Sequence, residues 1–270
     1  MTIPTLLTND NIISIAPAAG SYSPVAKASA RYSFVPTLTV VDALRDVGWF
    51  PISAEQSHAR LEERFGFQQH MIRFARQGLD TKGERVDMLL WNSHDLGSSF
   101  KLITSVWRYA CGNGLMVSSE FANFTHRHVG FDIDALISSA LEIANASALV
   151  SDQVEAMKII TLNSNERGVF AASAHRLIYD NPKKAPVGPE QLLSARRYDD
   201  RRMDDLWTCF NLVQENLIKG GIRGQKFNAA GQLKRVTTRP VKALNRNVKL
   251  NQALWYLTEK MRELKSSEHN

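Results

Sequence analysis

Residues 85–121, RVDMLLWNSHDLGSSFKLITSVWRYACGNGLMVSSEF, decide the fold of this 270-residue chain. Val86, Met88 and Leu90 are separated by single residues, which is the period of a β-strand. A second apolar run spans residues 100–109, and a third follows the turn at residues 111–114. The Asn-Gly pair in that turn is typical of a hairpin because both residues tolerate positive φ. Residues 124–129 resemble a further strand, so the stretch predicts an antiparallel β-meander of three or four strands.

A long helix is predicted directly after the meander. Asp132 is a suitable N-cap, and apolar residues between Ile133 and Leu149 recur at every third or fourth position. This stripe predicts a helix of about 25 residues that reaches toward Ile160, with a break near Ser151. Strands followed by helices indicate an α+β fold, for which we take residues 37–195 as the core.

Helices are also predicted before the meander. Residues 37–47 have the pattern of a short helix, and Ser53 with Gln56 three residues later forms a capping box for a second one. His70 lies in residues 66–74, where the apolar side chains have helical spacing. These helices and the one after the meander flank the predicted sheet.

The two ends of the chain differ from the core in composition. Residues 1–36 contain four of the nine prolines and predict an extended N-terminal arm with one short strand near Ile12. A helix is expected at residues 166–179 and is followed by a proline-rich loop. Residues 196–270 form a helical C-terminal region, and we expect its mixed-charge run at residues 196–205 to be a solvated surface.

Composition favours a folded protein of the bacterial cytoplasm. Apolar residues make up 44% of the chain, which is enough for a substantial core. Cys111 and Cys209 are far apart and lie among apolar residues, so we expect two small buried side chains. No apolar run reaches the roughly 18 residues of a membrane span, and the N-terminus lacks the basic region of a signal peptide. We therefore expect neither a membrane partner nor export.

One stretch, residues 219–249, is strongly basic and reads KGGIRGQKFNAAGQLKRVTTRPVKALNRNVK. It carries +9 without an acidic residue, against +6 for the whole chain, which leaves −3 for the remainder. A positive potential concentrated in this way attracts polyanions, and nucleic acid is the first candidate. The nine cations are Lys219, Arg223, Lys226, Lys234, Arg235, Arg239, Lys242, Arg246 and Lys249.

The basic segment also has the aromatic and turn residues that suit a single strand. Phe227 can stack on a base beside Lys226, and Trp107 is a second candidate for stacking. Residues 234–239 resemble an edge strand or a β-finger, and the glycines of the segment allow backbone N–H groups to approach phosphates. The alternative is a solvated surface hairpin whose charges serve solubility. Neither a nucleotide cofactor nor a metal is needed for such binding.

Two enzymatic alternatives remain open. His94, Asp95, His126 and His128 are the residue types that bind a divalent metal, and a site of this kind would suit a nuclease. Their spacing matches no specific metal motif. For nucleophilic catalysis, Ser93 or Ser98 with His94 lacks the G-x-S-x-G pattern, and Cys111 has no nearby partner in sequence.

The chain resembles a family of phage-borne and plasmid-borne proteins that includes the YafZ-like and YfjQ-like proteins of bacterial prophages. This chain has NSHDLGSS where many relatives look like NSHDGS. The resemblance implies a gene carried on mobile elements and implies no particular activity. The matching segments are RYSFVPT at 31–37, GFQQHMIRF at 66–74, NSHDLGSSF at 92–100, WRYACGNGL at 107–115, THRHVG at 125–130, NLVQENLIKGG at 211–221 and LNQALW at 250–255.

A second resemblance is to the single-strand annealing proteins of phages, the Red beta and RecT-like group. Their core looks like a β-meander followed by a long helix, which is the order predicted here for residues 85–162. This likeness implies single-stranded DNA as the partner, strand annealing in recombination, and assembly into homo-oligomers. A third hypothesis is a counter-defence factor, in which the basic segment meets an acidic protein partner.

Overall fold

The structure is a computed structural model, and it describes residues 5–79, 83–109, 113–116, 123–202 and 204–267. The chain divides into two compact units, Met1–Val150 and Ser151–Asn270. The first unit holds the large sheet and the second unit holds the basic segment.

An antiparallel sheet of six strands forms the centre of the first unit. Strands β1 to β5 follow one another in order, and β6 pairs with β4 beside β5. The predicted antiparallel β-meander followed by a long helix is confirmed, and so is the α+β class. The strands are β1 (Phe50–Gln56), β2 (His70–Ala75), β3 (Glu84–Asn92), β4 (Phe100–Arg108), β5 (Asn113–Met116) and β6 (Asn123–His126).

The first two strands were predicted as helices, and that prediction was wrong. Ser53 and Gln56 lie in β1, where the Gln56 side chain accepts a hydrogen bond of 2.7 Å from the Ala18 N–H instead of capping a helix. His70 begins β2, and five of the six residues of β2 are buried. A strand that is buried on both faces shows no polar alternation, so its apolar spacing resembled a helix.

The predicted turn between the second and third strands also differs from the structure. Asn113 and Gly114 lie in β5, where they pair with Arg108 and Trp107 of β4. The Asn-Gly pair is therefore part of a strand and does not form the predicted turn. Cys111 and Gly112, and the predicted strand residues 117–121, lie outside the described residues.

Three helices pack on one face of this sheet. Helix α1 (Asn9–Ile15) and helix α2 (Thr37–Asp46) contribute fully buried side chains such as Ile12 and Leu44 to a core that also contains Ile72 and Phe100. Burying a side chain of this size contributes about 1.5–3 kcal/mol. The strand predicted near Ile12 was wrong, because residues 9–15 form a helix capped by the Thr8 side chain.

The third of these helices, α3 (Ile133–Ile159), has 27 residues. It is continuous through Ser151, so the predicted break is absent. By length and composition α3 is apolar enough to cross a membrane. Its N-terminal half supplies Leu136, Ala140 and Ile143 to the core of the first unit.

The second unit contains helices α4 (Ser164–Arg176), α5 (Leu206–Lys219) and α6 (Leu244–Ser267), with a two-stranded sheet between α5 and α6. Trp207 and Trp255 meet edge to face with 6.4 Å between ring centroids. Cys209 is buried on α5, as predicted. The strands of the small sheet are β7 (Arg223–Phe227) and β8 (Leu233–Thr237).

The mixed-charge run at residues 196–205 is mainly solvated and leads into α5, as predicted, since five of the eight residues whose exposure is described are exposed. Two of its carboxylates are buried. Asp205 is the N-cap of α5, and its carboxylate accepts a hydrogen bond of 2.8 Å from the Thr208 N–H. Arg197 donates to Asp200 and to Glu215, both of which are less than 5% exposed. The ion pair between Arg197 and Glu215 joins the run to α5.

Candidate nucleic-acid interface

The centre of the basic segment is the β-finger predicted from residues 234–239. Strands β7 and β8 pair antiparallel from Arg223 with Thr237 to Phe227 with Leu233. Asn228 organises the turn at the tip, because its side chain accepts hydrogen bonds from the N–H groups of Ala230 at 3.0 Å and Gln232 at 2.8 Å. We call residues 223–237 the basic hairpin.

The base of the basic hairpin is held by the proline-rich loop that follows α4. The Gln225 N–H donates to the Pro186 carbonyl at 2.8 Å, and the Gln191 side chain donates to the Arg223 carbonyl at 3.0 Å. Gly224 is required at this contact, because a Cβ there would lie 2.0 Å from the Pro186 oxygen. The loop therefore fixes the base of the hairpin.

One face of the basic hairpin combines cations with exposed apolar side chains. Alternation along each strand places Arg223, Gln225 and Phe227 on the same face as their cross-strand partners, which include Arg235 and Leu233. Phe227 is 69% exposed and Leu233 is 54% exposed. An open groove of about 790 Å³ runs beside this face. It is lined by Pro186, Gln191, Arg223, Gly224, Gln225, Arg235, Val236 and Thr237.

The opposite face of the hairpin places two like charges together. Lys226 and Lys234 are direct cross-strand partners, and both are exposed. Like charges in this position destabilise a strand pair by roughly 0.2–1 kcal/mol. A bound anion between the two ammonium groups would remove that repulsion, so the pair favours an anionic ligand.

Lys219 differs from the other predicted cations because it has a structural partner. Its ammonium group lies 2.9 Å from the Glu215 carboxylate, which Arg197 also contacts at 2.5 Å. Burial would raise the pKa of Glu215, but the hydrogen bonds from Arg197 and Lys219 outweigh it and lower the pKa. The other eight cations of the segment form no salt bridge with any residue that the structure describes.

Those eight cations occupy two places in the second unit. Arg223, Lys226, Lys234 and Arg235 belong to the basic hairpin. The remaining four lie between the hairpin and the first turns of α6, beside two smaller cavities. These four are Arg239, Lys242, Arg246 and Lys249. Neither this division nor the position of Gln191 in the groove wall was predicted from the sequence.

The histidines of the metal-site alternative lie in the first unit, where they are engaged in packing and hydrogen bonds. His94 is buried, with its Nε2 atom 3.3 Å from the Thr37 hydroxyl, and the same hydroxyl lies 2.8 Å from His70 Nε2. Burial lowers the pKa of His94 to about 3 and that of His70 to about 4. Both imidazoles are therefore neutral at physiological pH. Together with Asn92, which donates to the Thr37 hydroxyl at 3.0 Å, they join the start of α2 to β2 and β3.

His126 and His128 make different contacts. His126 lies 3.3 Å from the Ser139 hydroxyl, and the His128 ring stacks on Tyr32 with 4.7 Å between centroids. The Asp95 carboxylate accepts from the Gly97 N–H at 2.8 Å. Across the described parts of the chain, no three His, Cys, Asp or Glu side chains are grouped so that they could hold a metal ion.

The other predicted chemical groups are engaged in packing. The Ser93 hydroxyl accepts hydrogen bonds from the backbone and side chain of Ser98, both at 3.1 Å. The Arg73 guanidinium lies over the Trp107 ring at 4.0 Å from its centroid. Trp107 therefore already has a cationic partner on one face, which leaves Phe227 as the better candidate for stacking on a base.

The comparisons with known proteins place the chain in a family. The family model described as Domain of unknown function (DUF932) matches residues 24–255, which include the whole basic segment. The chain belongs to the DUF932 family. UPF0380 protein YfjQ of Escherichia coli (strain K12) is 33% identical to it over 253 residues, which cover 94% of this chain and 90% of the relative. UPF0380 protein YafZ of the same organism has the same identity and coverage.

The resemblance to the YafZ-like and YfjQ-like proteins is thus confirmed. The likeness to single-strand annealing proteins gains no support from these comparisons, and no solved structure matches the chain. Four of the segments that carry the family resemblance meet at the buried histidines of the DUF932 chain. They supply Tyr32, Thr37, His70, His94 and His128.

Proposed function

We propose that this DUF932 protein binds single-stranded DNA through the basic hairpin, without preference for sequence. The observation that carries the proposal is the hairpin face on which Arg223 and Arg235 border an open groove and Phe227 is 69% exposed. Guanidinium groups bind phosphates through paired N–H donors, and an exposed aromatic ring stacks on any base. Both contacts tolerate every sequence.

The single strand is favoured over the duplex by the exposed aromatic side chain. Stacking on Phe227 requires a base whose face is free, and the bases of a duplex are stacked on one another. The cations alone would bind either form, because the phosphates of both are accessible. A preference for single strands should therefore depend on Phe227, and total affinity should depend on the cations.

The biological setting that we propose follows from the family resemblance. The protein is a phage- or plasmid-associated protein that acts in the cytoplasm of a bacterial host, where it promotes annealing of complementary strands during recombination. Annealing needs two strands that lie side by side with their phosphate charges screened. Assembly into homo-oligomers would provide this arrangement. It needs no cofactor, because no covalent bond is made or broken.

The test measures binding of fluorescent single-stranded and duplex DNA across a salt series, with chelator present and with sizing of the protein alone. We expect salt-sensitive binding that is tighter for the single strand than for the duplex. Absence of binding at low salt would overturn the proposal. A complementary-strand annealing assay with the same oligonucleotides then tests the proposed role in recombination.

A further inference from the structure

A second groove lies in the second unit, between the end of α4 and the start of α6. One cavity of about 250 Å³ and another of about 400 Å³ both have Ile178 and Arg246 in their walls. The two cavities are therefore neighbours, and we call the pair the helix groove. Among the described residues, no lining residue of the helix groove also lines the groove beside the basic hairpin. The two grooves approach each other at the proline-rich loop, where Pro186 lines one and Val187 lines the other.

Part of the walls of the helix groove is aliphatic. Leu177 is 44% exposed at the end of α4, and Leu250 and Ala253 of α6 line the same cavity. The adjoining cavity adds Leu217 and Val241. Aliphatic walls of this kind fit apolar side chains of another protein better than the flat faces of nucleic-acid bases, which stack on aromatic rings.

The one aromatic ring in the helix groove is already in contact with another ring. Tyr179 packs on His175 with 4.6 Å between centroids, and burial raises the pKa of its hydroxyl. His175 itself is buried and lies 2.9 Å from the Val187 carbonyl through Nε2. Tyr179 is therefore part of the wall and is not placed as an exposed platform for a base.

Cations border the helix groove, and among the residues that the structure describes no acidic side chain lines it. The four cations are Arg239, Lys242, Arg246 and Lys249. Arg246 lies in the first turn of α6, where the helix macrodipole is already positive and a cation is unfavourable. An acidic ligand would offset this cost. Charge and shape together therefore point to an occupant that is both anionic and apolar.

We propose that the helix groove binds an acidic segment of a partner protein that carries apolar side chains. The apolar side chains occupy the space between Leu177 and Leu250, and the carboxylates meet Arg246 and Lys249. Amphipathic segments that dock in this way place anchors at regular spacing in a hydrophobic groove. The basic segment thus contains two surfaces, the hairpin for nucleic acid and the helix groove for a protein.

The experiment uses the full chain and a fluorescein-labelled synthetic peptide of twelve residues that contains five Asp or Glu together with two Leu and one Phe. A control peptide keeps the acidic residues and replaces Leu and Phe by Ser. Binding is measured by fluorescence anisotropy. We expect the control peptide to bind at least about tenfold more weakly, because its affinity lacks the burial of three apolar side chains.

Three variants locate the peptide on the chain. Arg246→Glu combined with Lys249→Glu reverses the charge of the groove, and Leu177→Ser removes an exposed apolar wall. Each should raise the Kd of the peptide about tenfold or more. The matched control is Arg223→Glu combined with Arg235→Glu in the basic hairpin, which changes the net charge by the same amount and for which we expect a change of less than about twofold. Circular dichroism and the thermal midpoint verify that every variant is folded.

Several outcomes would overturn the proposal. One is a failure of the folded protein to bind the acidic apolar peptide at low salt. Another is equal binding of the Ser-substituted peptide. Equal losses of peptide affinity in the hairpin variant and the groove variant would indicate general charge attraction. The same variants are tested against single-stranded DNA. Loss of DNA binding in the groove variant as large as that in the hairpin variant would show that the groove belongs to the nucleic-acid path.

Discussion

Replacement of the paired lysines of the basic hairpin by alanine should weaken the salt dependence of DNA binding by a calculable amount. The hairpin offers four cations, Arg223, Lys226, Lys234 and Arg235. For single strands, the logarithm of the binding constant falls with the logarithm of salt concentration with a slope of about −0.7 for each phosphate contacted. Four contacts therefore predict a slope of about −2.8, or about a 50-fold loss of affinity between 50 and 200 mM salt.

In the variant Lys226→Ala with Lys234→Ala, two contacts remain. The predicted slope becomes about −1.4, and the loss over the same salt range becomes about sevenfold. The variant should not unfold, because both side chains are exposed and their removal relieves the repulsion between them. The assay is fluorescence anisotropy of a labelled oligonucleotide at five or more salt concentrations.

The matched control is Lys27→Ala with Lys260→Ala, two exposed lysines outside the basic segment that remove the same charge. Its slope should equal that of the unchanged protein. An unchanged slope in the hairpin variant would refute Lys226 and Lys234 as phosphate contacts. Equal reductions in the hairpin variant and the control would show that net charge matters and that position does not. A parent slope near −5.6, the value for about eight contacts, would contradict the division into two surfaces.

Three further substitutions and one change of pH test other parts of the structure. Phe227→Ala should weaken single-strand binding by about 1–3 kcal/mol and leave duplex binding nearly unchanged, whereas a loss shared by both forms would argue against stacking. Gly224→Ala should displace the hairpin base and speed hydrogen exchange of the Gln225 amide, because its Cβ would lie 2.0 Å from the Pro186 oxygen. Gly168→Ala in α4, where a Cβ meets open space, should instead raise the free energy of unfolding by about 0.5–1 kcal/mol. Because burial lowers the pKa of His70 from 6.5 to about 4, the contribution of neutral His70 to the free energy of unfolding is nearly complete above pH 6.5 and should fall by roughly 2 kcal/mol between pH 7 and pH 5, in addition to a fall from His94. Urea unfolding at both pH values checks this, and His70→Gln should show a smaller fall.

Elements with a clear period could be predicted from the sequence. Strands β3 and β4 alternate or form bounded apolar runs, and α3 has an unbroken stripe, so the meander and the long helix were correct. Strand β2 was missed because apolar spacing alone does not distinguish a strand buried on both faces from a helix. Strand β1 was missed because Ser53 and Gln56 have the spacing of a capping box. The Asn-Gly pair was a valid local signal for a hairpin, but Asn113 and Gly114 themselves pair with β4.

In the candidate site, as in the fold, features with a local sequence signal could be predicted, and features that depend on residues distant in sequence could not. The β-finger was predictable because glycine and asparagine mark its turn between two short polar strands. The ion pair between Glu215 and Lys219 also had a local signal, since the two residues are four positions apart on one helix, although we did not use it. The groove beside the hairpin and the helix groove depend on residues 177–191, which are distant in sequence from the cations.

The basic hairpin contributes little to the folding of the second unit. Eight of the ten residues in β7 and β8 are exposed, and an isolated pair of strands is at best marginally stable in water. Its side chains are therefore not selected by the needs of a core. A strand pair that exists only to connect α5 and α6 would gain stability from mixed charges across the strands, yet this one places Lys226 opposite Lys234 and has no acid. The arrangement therefore favours the proposed anion-binding surface over a simple connection, and the contact of the hairpin base with Pro186 holds that surface in one orientation.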